Sequence, residues 1–86
     1  VVAVSSSEQA LAERVVDHMM AHDKYSQWLG LSVVLVAPGR STVRMTVRDE
    51  MVNGCGICHG GITFSLADSA LAFATNTGGN VSVALD

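Results

Sequence analysis

A chain of 86 residues with a formal charge of −3, 49% hydrophobic and 15% charged, has the size of one domain whose modest core a second copy would complete. One proline, eight glycines and a pI near 5.4 exclude a disordered chain and the basic footprint that nucleic acid requires. Aromatic residues make up 5%, so the core must be built from Val, Ala, Leu and Met, which suits close packing of a helix on a sheet.

Residues 1–4 are too short for the apolar region of a signal peptide and lack a basic flank, and no run approaches a membrane span. A cytoplasmic protein away from membranes is expected. Serines at 5–7 precede Glu8 and Gln9, the Ser-x-x-Glu spacing that satisfies the free N–H groups of a helix start. Leu11, Val15, Met19 and His22 then recur every four residues, with Val16 and Met20 beside them and Glu13, Arg14 and Asp17 elsewhere. The spacing predicts an amphipathic helix that ends near Asp23.

Residues 25–30 lead into a β-branched run at 31–36, predicted as a strand, and Pro38-Gly39 supplies a turn. From 42 to 48 the pattern alternates: Val43, Met45 and Val47 on one face, Thr42, Arg44, Thr46 and Arg48 on the other. That period of two predicts a half-buried antiparallel strand. Residues 49–58 form a glycine-punctuated loop, and 61–75 predict a helix of about four turns without a clean polar face, hence largely buried. Gly78 and Gly79 are expected to end it, and 81–85 reads as the start of another strand. No repeat, linker or second domain is expected within residues 1–86.

Asp68 lies in the apolar helix, where a carboxylate is costly unless paired, hydrogen-bonded or protonated. It falls between an Ile62, Leu66, Ala70 and Phe73 stripe and the opposite Phe64 and Leu71. Ser65 and Ala72 beside it are small enough to leave a crevice. Alone, such an Asp reads better as a solvated or backbone-bonded carboxylate than as a catalytic one. His59-Gly60-Gly61 sits where the helix begins, where free N–H groups favour a developing negative charge and glycines let a ligand approach the backbone. Nine residues separate His59 from Asp68, about 13 Å along the axis and half a turn around it. One helix cannot unite them, so a shared site requires two subunits across a two-fold axis.

Asn53-Gly-Cys-Gly-Ile-Cys-His-Gly-Gly61, followed by Phe64-Ser-Leu-Ala-Asp-Ser69, closely resembles hotdog-fold acyl-CoA thioesterases of the phenylacetate-degradation type. The resemblance runs from about residue 29 to 86. It implies an α+β hotdog domain, a long central helix wrapped by an antiparallel sheet, in a homodimer with acyl-CoA at the interface and dimers pairing into tetramers. It implies that Asp68 attacks the thioester carbon or activates water, that the Gly60 N–H polarises the carbonyl, and that Asn53 and His59 line the site. Gly61, Ser65 and Ser69 are expected to contact substrate, an aromatic, phenylacetyl-like acyl-CoA. No cofactor or metal is implied. Family members continue past the position of Asp86 with further strands, so residues 1–86 are expected to be a C-terminally truncated single domain.

Cys55-Gly-Ile-Cys58-His59 also matches the Cys-x-x-Cys-His haem-attachment pattern literally. That chemistry goes with export, and the glycine pair and apolar helix already account for the region. Zinc would want a second cysteine pair, whereas His18 and His22 belong to a distant helix and read as edge residues. A thioredoxin-like role would want a βαβ setting rather than a hairpin, so the cysteines read as small apolar loop residues. The alternative of another class is a non-catalytic acyl-CoA-binding or dehydratase-like protein of the same fold, which Asp68 argues against.

Overall fold

The structure, a computed structural model, describes residues 4–78. Helix α1 (Ser6–His22) starts where the serine run ends: Ser5 caps it by accepting from Glu8 N–H at 3.2 Å, and the Glu8 side chain returns to Ser5. Its buried face is centred on Ala12 and Val16, with Met19 and Met20 half-buried. Leu11 and His22 are exposed, so the apolar stripe is rotated about one position from the expected one.

Asp23 ends α1 and caps a short helix α2 (Lys24–Leu29), accepting from Ser26 N–H at 2.9 Å. Residues 25–30 show no element in the sequence pattern, because six residues are too few for a helical period to show. Gly30 closes α2 at φ +72, the left-handed conformation in which a side chain is strained.

Strands β1 (Ser32–Ala37) and β2 (Arg40–Arg44) pair antiparallel, with Ala37 opposite Arg40. Only Pro38 and Gly39 lie between them, and Gly39 has φ +75, the residue order that a type II turn uses. The ladder is irregular between Val33 and Leu35. The second strand was expected to reach Arg48. It stops at Arg44 because its partner runs out there, at the Ser32–Arg44 pair. A single 3-10 turn, Asp49–Met51, follows.

Helix α3 (Gly60–Asn76) packs across both strands and against α1 and α2. Val16, Leu29, Leu31, Met51 and Phe73 form the buried core, with Met19, Val33, Val43, Ile62 and Leu66 among those packed onto it. Two hydroxyls fasten α3 to the hairpin: Ser41 donates to the Ala70 carbonyl at 2.6 Å, and buried Thr77 accepts from Gly39 N–H at 2.9 Å. The helix is not largely buried as expected. Phe64 is 71% and Leu71 57% exposed, because the antiparallel sheet among the described residues has two strands and covers one face only. The strand expected at 81–85, and Gly79 beyond the helix, lie outside the described residues.

Candidate functional site

Asp68 stands in the middle of α3, on the face turned from the core, and is exposed rather than enclosed in apolar packing. Among the described residues its carboxylate makes no hydrogen bond or ion pair, so nothing within them occupies it. It opens on a cleft of about 200 Å³ lined by Asp23, Tyr25, Ser26, Phe64, Ser65, Asp68 and Ser69. Tyr25 and Phe64 give it aromatic walls. The Tyr25 hydroxyl meets Ser65 Oγ at 2.9 Å, and Ser65 itself donates to the Gly61 carbonyl at 2.8 Å. A hydroxyl has one hydrogen, so Tyr25 is the donor of that pair. Ser69 Oγ lies 2.7 Å from Ser26 Oγ, and that buried contact ties α2 to α3.

The second group of sequence-predicted residues gathers at the start of α3. His59 is its N-cap, with Nδ1 accepting from Gly61 N–H at 3.3 Å. This places the proton of a neutral ring on Nε2. Gly60 opens the helix, and among the described residues its N–H has no acceptor, as expected of a first-turn donor. A methyl group built on Gly60 would meet nothing within 4 Å.

The loop ahead of the helix is organised by Asn53, whose Oδ1 accepts from Cys55 N–H at 2.9 Å and Ile57 N–H at 3.1 Å. His59 N–H donates to the carbonyl of buried Met51 at 2.7 Å, which anchors the helix start to the core. Cys55 and Cys58 are free thiols. No three His, Cys, Asp or Glu side chains gather as a metal site among the described residues, and no helix among them is long and apolar enough to cross a membrane.

The structure therefore brings Asp68, Ser65 and Ser69 to one cleft and Asn53, His59, Gly60 and Gly61 to another place. α3 is one unbroken helix from Gly60 to Asn76, so about 12 Å of axial rise separates Gly60 from Asp68. Asp23, Tyr25 and Ser26 were missed as site residues. The Asp-x-x-Ser spacing of a helix cap at 23–26 was the available signal, and it marks a helix start rather than a cleft.

No protein-family model matches the chain. Among curated proteins, it is 37% identical over 82 residues to the "Putative esterase" of Archaeoglobus fulgidus, covering 95% of this chain and 53% of that one. It is 42% identical over 66 residues to acyl-coenzyme A thioesterase PaaI of Escherichia coli, covering 77% of this chain and 47% of the relative. Among solved structures, the E. coli PaaI protein from the phenylacetic acid degradation operon superposes with a TM-score of 0.80 at 37% identity, over 81% of this chain and 51% of that one. The chain spans about half the length of the curated relatives it matches.

Proposed function

The chain is a homologue of the hotdog-fold acyl-CoA thioesterases of the phenylacetate-degradation type and shares their α+β fold over the half of their length that it spans, and on that premise we propose that it hydrolyses an acyl-CoA thioester to the free acid and CoA. The observation that carries this reading is the Asp68 cleft: the one charged residue of α3, a carboxylate with no partner among the described residues, in a cleft that Tyr25 and Phe64 also line.

In the proposed reaction the thioester carbonyl oxygen rests on the Gly60 N–H at the start of α3, where unpaired donors stabilise the oxyanion. Asp68 comes from the facing subunit, because α3 holds its own Gly60 and Asp68 too far apart. The oxygen of a water bonds to the carbonyl carbon and its proton passes to Asp68. The C–S bond then breaks, and the CoA thiolate leaves and takes up that proton. Direct attack by the Asp68 carboxylate, followed by hydrolysis of the anhydride, uses the same placement.

His59 offers Nε2–H and Asn53 its side-chain N–H groups, since the Asn53 oxygen is already engaged in the loop. Tyr25 and Phe64 favour a flat, aromatic acyl group, with Gly61, Ser65 and Ser69 beside it. The exposed apolar face of α3, with Phe64 and Leu71, supports a homodimer of single hotdog domains; the family resemblance adds to this reading a pairing of dimers into a tetramer that acts on acyl-CoA in the cytoplasm.

The test is hydrolysis of a panel of aliphatic and aromatic acyl-CoA substrates, followed by thiol release, for the protein and its Asp68→Asn variant. Loss of turnover in the variant at unchanged assembly is the expected result. A well-folded protein that binds acyl-CoA and turns over none of the panel would leave a binding role on the same fold.

A further inference from the structure

Asp23, Ser26 and Ser69 form a hydrogen-bond chain that runs from the start of α2 into the Asp68 cleft. The Ser26 hydroxyl donates to Asp23 Oδ2 at 2.5 Å, while Ser26 N–H donates to Oδ1 at 2.9 Å. Ser26 has then spent its one hydrogen. In the 2.7 Å contact between Ser26 Oγ and Ser69 Oγ the donor must be Ser69. A serine inside a helix ordinarily turns its hydroxyl to the carbonyl four residues back, as Ser65 does to Gly61. Ser69 is drawn off that bond, and what its oxygen has left to offer is lone pairs. Ser26 is fully buried and Ser69 8% exposed, so bulk water cannot easily reset the direction of the chain.

We propose that Asp23 is a positioning residue for the Asp68 reaction: through Ser26 it fixes the hydrogen of Ser69, leaving Ser69 Oγ as an acceptor in the cleft that Asp68 also lines, so that the hydrolytic water is held by both of its hydrogens. One O–H of the water faces Asp68, which takes that proton. The other faces Ser69 Oγ, and a lone pair of the water oxygen is turned to the thioester carbon. From the sequence Ser69 is expected to contact substrate, and Asp23 has no role in the site. The inference rests on the thioesterase reading and adds to it how the water is oriented.

Asp23→Asn tests the direction of the chain separately from its existence. The Asn side-chain oxygen still caps Ser26 N–H and its nitrogen can donate to Ser26 Oγ, so every bond survives with the polarity reversed: Ser26 then donates to Ser69, whose hydrogen is freed. The expected result, on an acyl-CoA that the wild type turns over, is an unchanged melting temperature and KM with kcat down about 10- to 100-fold. Ser69→Ala should show a similar fall, and the double variant should be no worse than either single one, because the two act as one unit. Wild-type kcat in both Asp23→Asn and Ser69→Ala, or losses that simply add, alongside an inactive Asp68→Asn, would make the chain structural only. An Asp68→Asn protein at full rate would instead remove the thioesterase reading on which the relay depends.

Discussion

The guanidinium of Arg48 lies 5.1 Å from the centre of the Trp28 ring while its Nη2 donates to the Trp28 carbonyl at 2.8 Å. Nη1 of the same side chain donates to the Leu29 carbonyl at 3.0 Å. One residue thus satisfies two carbonyls of the last turn of α2, which a helix end leaves without internal partners. It does so from the segment that leads into Met51 and the His59 loop.

Lysine at this position would keep the charge but lack the planar fork that reaches both carbonyls. Arg48→Lys is expected to lower stability by about 1–3 kcal/mol through the lost charge-assisted bond, read as the midpoint of urea unfolding. An unchanged midpoint would mean that α2 holds its end without the clamp.

Arg48 also bonds Glu50, Nε to Oε1 at 2.7 Å, and that hydrogen bond holds the Glu50 carboxyl below its ordinary value of 4.5. A lowered pKa means that the folded state favours the ionised form, so the contribution is present above 4.5 and is lost as pH falls through the depressed folded value. Glu50 is exposed, which makes the effect small and sensitive to salt. The melting temperature of Glu50→Gln should lie slightly below wild type at neutral pH, and the gap should close in acid. A gap that persists well below the folded pKa would assign it to something other than this pair.

Apart from its chain neighbours and the backbone of its own helix, nothing among the described residues comes within 4 Å of a methyl group built on Gly60, and alanine is the better helix former. Gly60→Ala should therefore fold at least as well as wild type. If the thioester presses against this N–H, the same variant should lose most of its turnover. Full activity would show that the bound thioester leaves room for a methyl group beside this N–H.

Phe73 and Phe64 sit on one helix with opposite surroundings, 1% and 71% exposed. Phe73→Ala should cost about 3–5 kcal/mol, the usual range for emptying a buried aromatic site. Phe64→Ala should leave the fold of a single chain intact and instead raise KM for aromatic acyl-CoA more than for aliphatic. Equal destabilisation by the two variants would contradict the assignment of faces.

What the sequence made legible was whatever its local chemistry determines. Ser5 and Glu8 announce the start of α1 by reciprocal capping, Pro38-Gly39 announces the hairpin, and helical spacing sets Ile62, Leu66, Ala70 and Phe73 on one stripe, although not which side of α3 the core would cover. Helix α2 escaped because it is six residues long and its cap, Asp23, doubles as the end of α1. The end of β2 escaped because a strand stops where its partner stops, which Thr46 and Arg48 do not encode. The Ser26–Ser69 contact spans 43 residues, and neither serine carries a sign of the other. Asp68 was found by being out of place among apolar neighbours, although its exposure differs from the buried setting that the pattern implied.

The two-sidedness of α3 also bears on how such a chain can change over generations. Ile62, Leu66 and Phe73 are answerable to the fold, so substitutions there are filtered by stability before any other property counts. Phe64 and Leu71 carry little of that burden within one chain, so substitutions there pass that filter more readily. This division between opposite faces of one helix lets a lineage vary the exposed face without passing through forms that fail to fold.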